Sequence, residues 1–249
     1  MRRQKGTQPP PRRKRRPKKN YGFWNKEYKK GARGGAHLTL STAPSEDLVK
    51  FTRWLSREYN GSYLSPSDSI LDVGCGNGRN LIYLAKEFKT RGMGLDISKE
   101  AIAQAQKAAA ILPLKFEVRS LAEPLSLPDA SQALVLDMMA SHFLQAEGRA
   151  KLLQEIARVL VPGGWLFFKT FLLEEDEHAR KFLRDHPGSE PGSYIHPTFG
   201  GEEHVFTVEE IEKELTPHFF IHRMIKSHAH RKDGRAFKRR SISVYAQKQ

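Results

Sequence analysis

The sequence predicts an α/β fold in which a largely parallel sheet is wrapped by crossover helices. Three observations carry this. Short apolar runs alternate with amphipathic helical segments from residue 69 to residue 169, and such alternation implies parallel strands returned by helices. The first run breaks at once into a glycine-rich turn, Gly74-Cys75-Gly76-Asn77-Gly78, which opens a helix. Late in the chain, Pro162-Gly163-Gly164 stops another helix and leads into the apolar run Trp165–Phe168.

Upstream of the alternation a helix is expected from Ser45 to about Tyr59. Ser45 stands at its cap, Glu46 and Asp47 suit the positive end of the helix dipole, and Leu48, Phe51, Leu55 and Tyr59 recur on one face. Strands are expected at 69–73, 92–96, 115–118, 133–137 and 164–169, and helices at 80–88, 99–110 and 147–160. Ser98 caps the second of these helices; Leu152, Leu153, Ile156, Val159 and Leu160 form the core stripe of the third. Residues 172–206 interrupt the rhythm, being rich in Glu, His, Pro and Gly without a sustained period. Long insertions of this kind are more often functional than not. Thr207 with Glu210 forms a capping box that opens a short helix ending before Pro217, and Phe219–Ile225 and Ser241–Ala246 read as the last two strands.

The glycine turn carries the chemistry. Three glycines at alternate positions let the backbone turn sharply and approach a ligand without side-chain clashes. The second strand ends on Asp96, 20 residues after Gly76, and a carboxylate at that offset is placed to accept hydrogen bonds from a ribose. Together they indicate a nucleoside-bearing cofactor. The spacing is G-x-G-x-G, with Arg79 where the dinucleotide fingerprint wants its last glycine. A dinucleotide oxidoreductase is therefore disfavoured.

Asp72-Val73-Gly74-Cys75-Gly76-Asn77-Gly78, Gly94-Leu95-Asp96 and Leu160-Val161-Pro162-Gly163-Gly164-Trp165-Leu166 resemble the class I S-adenosylmethionine-dependent methyltransferases, over roughly residues 65 to 170. The resemblance implies a three-layer Rossmann-like sheet, mostly parallel with an antiparallel last strand, and S-adenosyl-L-methionine as cofactor. It implies that Gly74, Gly76 and Gly78, with Cys75 and Asn77 between them, pass beside the methionine part. Asp72 would orient the loop or the cofactor amine, Asp96 would accept from both ribose hydroxyls, and Ile97 would pack on the adenine. Ser120, followed by Leu121, stands roughly where the family often carries an acid near the adenine amine, so a hydroxyl or backbone groups would serve there. Asp137, at the end of the fourth strand, would lie next to the methyl group and bind the cofactor amine or orient a substrate donor. His142 is a candidate base, and Tyr194, His196 and His204 complete the candidates. Residues 137–143 lack the Asn/Asp-Pro-Pro-aromatic signature of the amide and exocyclic-amine methylating families. The insertion would form part of a substrate lid. The aromatic stretch Tyr21–Tyr28 resembles the N-terminal segment that folds over the cofactor in many small-molecule-type members; a hydrophobic clasp without ligand contact is the other reading.

Charge is unevenly placed. The formal net charge of the 249 residues is +14. Residues 1–35 contribute +13 and residues 226–249 contribute +7, which leaves the middle at −6. Residues 1–19 hold ten Lys/Arg and no acid, and such a segment cannot bury enough apolar surface to offset its ordering entropy, so disorder is expected. The organisation read from this is a basic tail and aromatic clasp over 1–35 and a methyltransferase domain over 36–249, with the lid-like insertion at 172–206. Residues 1–19 and 226–240 are the expected contacts for RNA or another polyanion. A solubilising tail and a solvated hairpin tip are the bland alternatives.

Composition limits the remainder. No run approaches the ~20 apolar residues of a membrane span, and no apolar segment follows the basic N-terminus, so neither membrane insertion nor a secretory signal is expected. The single cysteine, Cys75, rules out an internal disulfide and fits a reducing compartment, cytoplasmic or, in a eukaryote, nuclear. No His/Cys grouping has metal-ligand spacing. The resemblance implies methyl transfer by in-line displacement, for which the basic ends favour RNA or a ribosome-associated acceptor; the alternative, a small metabolite, is favoured by the aromatic segment and insertion. A non-catalytic RNA- or protein-binding module that has kept the cofactor fold is the rival from another class.

Overall fold

The computed structural model describes residues 21–31, 40–61, 63–228, 231–232, 235–236 and 238–249. The basic run 1–19, and residues 32–35 of the glycine-rich stretch that follows the aromatic segment, lie outside the described residues. In chain order the elements are α1 (Tyr21–Gly31), α2 (Glu46–Glu58), β1 (Ser69–Val73), α3 (Arg79–Phe88), β2 (Arg91–Asp96), α4 (Lys99–Ala108), β3 (Leu114–Val118) and β4 (Gln132–Met138). A 3-10 turn (Ser141–Phe143) leads into α5 (Ala146–Val159) and β5 (Leu160–Phe171). Then come α6 (Glu177–Asp185), β6 (Ser193–Ile195), β7 (Glu202–His204), α7 (Val208–Leu215), β8 (Phe219–Lys226), β9 (Arg231–Lys232), β10 (Arg235–Ala236) and β11 (Ser241–Lys248).

Seven strands form one sheet in the order β3-β2-β1-β4-β5-β11-β8. The pairs from β3 to β5 are parallel, and β11 runs antiparallel to both β5 and β8. This is the three-layer architecture expected, with its antiparallel last strand. Alternation along the strands builds the layers, because successive side chains leave opposite faces. Ile70, Leu134, Leu136 and Phe167 pack with Leu48, Phe51 and Leu55 of α2 and Leu81 and Leu84 of α3. Leu71, Val135, Leu166 and Val244 pack on the other face with Leu152 and Ile156 of α5 and Ile211 and Leu215 of α7.

Local departures from the expected elements have identifiable causes. Ser45 holds the cap position of α2 without a side-chain cap bond; its backbone N–H instead donates to Asn80 Oδ1 at 2.9 Å. Ser98 does cap α4, accepting from Ala101 N at 3.2 Å. The fifth strand begins at Leu160 rather than 164. Pro162-Gly163-Gly164 bulges out of the β4–β5 ladder, the register shifting between Gln132 and Leu134 with Gly163 at φ +74°.

The insertion is more regular than its sequence, holding α6 and the β6–β7 hairpin. Its strands are three residues each, too short to show a period. Ion pairs fix it to the body. Arg149 of α5, 5% exposed, donates to Glu190 and to Leu144 O. His204 Nε2 lies 2.8 Å from Glu210 and its Nδ1 lies 3.1 Å from Ser193 Oγ. Glu210 thus leaves the capping box half made: Thr207 Oγ1 accepts from Glu210 N at 3.1 Å, while the Glu210 carboxylate turns to His204. Ser193, His204 and Glu210 line up like a nucleophile, base and acid, but Ser193 and His204 are each only 3% exposed. Arg149→Leu is expected to destabilise the fold by about 3–5 kcal/mol, because it leaves Glu190 partly buried without its counter-charge. Urea unfolding of this variant against Arg149→Leu/Glu190→Leu measures it, and the double variant should recover part of the loss.

Arg239 and Arg240 tie the 226–240 connection to the same insertion. Arg239 Nε donates to Asp176 Oδ2 at 2.7 Å, Nη1 donates to the Tyr194 hydroxyl, and the guanidinium stacks 4.1 Å over the Phe171 ring. Arg240 donates its backbone N–H to Asp176 Oδ2 and its side chain pairs with Glu175. Two of the seven basic residues expected to face a polyanion from this connection are therefore neutralised structural anchors.

Candidate active site

The sheet order reverses beside β1, since the chain steps outward through β2 and β3 and then returns to β4 on the opposite side. Such a switch opens a crevice at the carboxyl ends of the strands. The glycine turn sits there. Gly74, Gly76 and Gly78 have φ of +74°, +55° and +75°, the region that favours glycine. The N–H groups of Gly74 and Cys75 both donate to Leu95 O, at 2.7 and 2.9 Å. A Cβ on Gly74 would fall 2.3 Å from the Ala140 methyl, and one on Gly78 would lie 2.8 Å from the Phe116 ring. Close approach to the β4 exit and to β3 therefore requires glycine.

Three carboxylates converge at this edge. Asp96 Oδ2 accepts from Gly76 N at 2.8 Å and Oδ1 from Ser98 N at 2.7 Å. These bonds aim the carboxylate and leave each oxygen a further lone pair for a ribose hydroxyl. Asp72 is 1% exposed, and its Oδ2 has no hydrogen-bond partner. Burial, then the charges of Asp96 and Asp137, push its pKa up to about 8. Asp137, at the end of β4, accepts from Ser141 N at 3.1 Å, and burial pushes it up to about 6. A buried cluster of acids with an orphaned oxygen calls for a cation. The ammonium and sulfonium of S-adenosylmethionine match that demand, and its ribose diol matches Asp96.

The aromatic segment folds over this crevice as α1. A Cβ on Gly76 would lie 2.2 Å from the Tyr28 hydroxyl; burial and the Asp96 charge push that phenol above its ordinary range. Asn25 Oδ1 accepts from Ser98 Oγ at 2.9 Å and from Glu100 N at 3.3 Å, and Gln104 Nε2 donates to Tyr28 O at 3.0 Å, so α1 is docked on α4. Trp24 meets Phe143 edge-on at 5.5 Å, and Phe23 stacks on Phe199 of the insertion at 4.6 Å. The aromatic segment thus reaches the glycine turn itself through Tyr28. Asn25 was not legible as a site residue. The Trp24–Tyr28 spacing, one helical turn, was the available signal that both rings share a face.

The other candidates are placed as follows. The Cys75 side chain turns into the core, its sulfur lying 2.8 Å from where a Gly94 Cβ would stand, and burial raises its pKa well above the ordinary thiol value. Asn77 Nδ2 donates to Ser41 O at 3.1 Å. Ile97 is 37% exposed directly after Asp96. Ser120 Oγ accepts from Ala122 N at 3.3 Å, and a Leu121 methyl comes within 3.9 Å of the Gly74 Cβ position. His142 is not gathered with the acids. It is buried on the insertion side against Phe143 and Phe171, and neither ring nitrogen has a hydrogen-bond partner. Burial, then Arg239, His204 and Arg149, push its pKa down to about 3, which leaves a neutral imidazole and a weak base. Tyr194 and His204 serve the insertion's ion network, whereas His196 stacks on Phe199 at 4.3 Å and extends the aromatic wall. Among the described residues no group of three or more His, Cys, Asp or Glu could hold a metal ion, and no helix is long and apolar enough to cross a membrane.

Sheet order, glycine turn and strand-end acids are those of a class I S-adenosylmethionine-dependent methyltransferase domain. Residues 70–164 match the family model described as a methyltransferase domain. A stretch of 132 residues is 35% identical to a fatty-acid O-methyltransferase of Mycolicibacterium smegmatis, covering 53% of this chain and 47% of that protein. Another, of 127 residues, is 32% identical to a mouse tRNA (carboxymethyluridine(34)-5-O)-methyltransferase, covering 48% of this chain and 17% of that one. The chain thus spans about half or less of these curated relatives. A solved S-adenosylmethionine-dependent methyltransferase of Methanosarcina mazei superposes with a TM-score of 0.65 at 26% identity, over 76% of this chain and 96% of that one.

Proposed function

We propose that the protein transfers a methyl group from S-adenosylmethionine to a small acceptor enclosed beneath α1 and the insertion. The observation that carries this is the aromatic wall of Phe23, Trp24, Phe143 and Phe199, contributed by three separate segments at the carboxyl end of β4. A wall of that kind encloses a flat or apolar molecule and keeps water from it. When bound, S-adenosylmethionine supplies a methyl group already activated on a sulfonium. The protein then has mainly to position the acceptor, which in favourable cases is worth on the order of 7–11 kcal/mol. In this reading Asp72 holds the cofactor ammonium, Asp96 holds the ribose, and Tyr28 covers the glycine turn. Asp137 orients the acceptor's donor group or takes its proton, a role suited to a carboxyl whose pKa is raised to about 6. His142 is the poorer candidate base, because burial makes its imidazole a weak proton acceptor and it lies on the insertion side.

The second reading, an RNA acceptor, is favoured by the ten Lys/Arg of residues 1–19 and by the similarity to a tRNA-modifying enzyme. Incubating the protein and labelled S-adenosylmethionine with a cell extract, then fractionating small molecules, RNA and protein, separates them. Label in the small-molecule fraction is the expected result. Label confined to RNA would overturn the acceptor assignment, and no transfer with no cofactor binding would favour a non-catalytic module.

A further inference from the structure

We infer that the outer face of α1 is a docking surface for single-stranded RNA phosphates, and that RNA bound there stabilises the closed arrangement of α1 over the cofactor site. The inference rests on the cofactor reading of that site, but not on the identity of the acceptor.

The two faces of α1 differ in kind. Trp24, Asn25 and Tyr28 face inward to Phe143, Ser98 and the glycine turn. Lys26, Lys29 and Lys30 are exposed on the outside; the helix's one acid, Glu27, is buried, with Lys30 Nζ 3.8 Å from its carboxylate. Docking on α4 brings further cations to this face. Asn25 bonds to Ser98 Oγ and Glu100 N, which flank the exposed Lys99, and Lys26 follows Asn25 directly. Tyr28 O bonds to Gln104, one turn before the exposed Lys107, and Lys29 follows Tyr28. Docked in this way, α1 and α4 set five exposed lysines on two adjoining helices, with Glu100 half-buried next to Lys99.

A ligand that needs both sets of lysines binds the docked state better, and a preference for one state shifts the population toward it. The cofactor, covered by the same helix, prefers the same state. Thermodynamic linkage then makes the two bindings mutually strengthening by one common factor. Phosphates of a single strand fit this face on two grounds. The sequence reaching α1 from its N-terminal side, residues 1–19, carries ten cations and no acid, which suits a flexible polyanion. It also contains no large apolar residue except Met1, so what it offers a partner is charge rather than apolar contact.

Calorimetric titration of the full chain with S-adenosylmethionine, with and without a saturating oligouridylate at low salt, tests the proposal. The cofactor Kd should fall by at least about fivefold with RNA present, and the RNA Kd should fall by the same factor when cofactor is added. The variant Lys26→Glu/Lys29→Glu/Lys30→Glu should keep the wild-type cofactor Kd when RNA is absent, lose the coupling, and reduce the salt slope of RNA binding by about 2. An unchanged cofactor Kd with RNA, coupling retained in the triple variant, or strengthening by phosphatidylserine vesicles but not RNA would each overturn it. Failure to bind the cofactor in any condition would instead overturn the reading of the site.

Discussion

Asp96→Ala is expected to weaken S-adenosylmethionine binding by roughly a hundredfold to ten-thousandfold. A hydrogen bond to a charged group is worth about 1.5–3 kcal/mol, and the carboxylate offers two such bonds to a ribose diol. At about 1.4 kcal/mol per factor of ten, losing both gives the stated range. Asp96 also holds Gly76 N and Ser98 N at 2.8 and 2.7 Å, so the melting temperature of the ligand-free variant belongs beside the calorimetry. A loss of affinity with little change in melting assigns the effect to ribose contact. Unchanged affinity would sink the cofactor assignment.

Cofactor affinity is also expected to rise with pH between about 6 and 7.5, by up to about tenfold per pH unit. The folded Asp72 carboxyl titrates near 8, whereas an unfolded aspartate titrates near 3.9. Between those values the folded ligand-free chain keeps a proton that the unfolded chain has lost. The sign is then fixed: this group's contribution to stability is fully present below the unfolded value and is lost as pH rises through the folded one. A cationic ligand favours the ionised carboxyl, so binding releases the proton. Above about 7.7 the cofactor's own amine begins to lose its charge, which bounds the window. Calorimetry in two buffers of different ionisation enthalpy reads the proton directly. Asp72→Asn should bind more weakly, show a flat profile over this window, and melt higher than wild type at pH 8 without ligand. A flat wild-type profile would show that Asp72 is already ionised.

Much of the fold was legible because its elements are long and their periods agree with their burial. The alternation of Ile70 with Leu71 and of Leu134 with Val135 sends side chains to opposite layers, and sequence shows that pattern directly. The cofactor turn was legible for a different reason: only glycine tolerates φ values such as those at 74, 76 and 78, so the requirement is written in residue type. The insertion was not legible. Its strands are three residues long, and its cohesion comes from ion pairs such as Arg149–Glu190 and Arg239–Asp176, separated by 41 and 63 positions. Charged residues at such separations look like solvated surface until the chain brings them together. The side of the sheet on which His142 falls was hidden for a related reason. It follows β4 in the chain, but the 3-10 turn decides which way the ring falls.

The clasp formed by Arg239 and Arg240 has a consequence for engineering and for divergence alike. Residues 172–206 and 226–240 look in sequence like two independent loops, each free to be exchanged for a relative's version. Asp176, Tyr194 and Glu203 on one, and Arg239 on the other, make them halves of a single joint. A graft of either half alone would strand buried charge, so the two segments can be exchanged only as a matched pair.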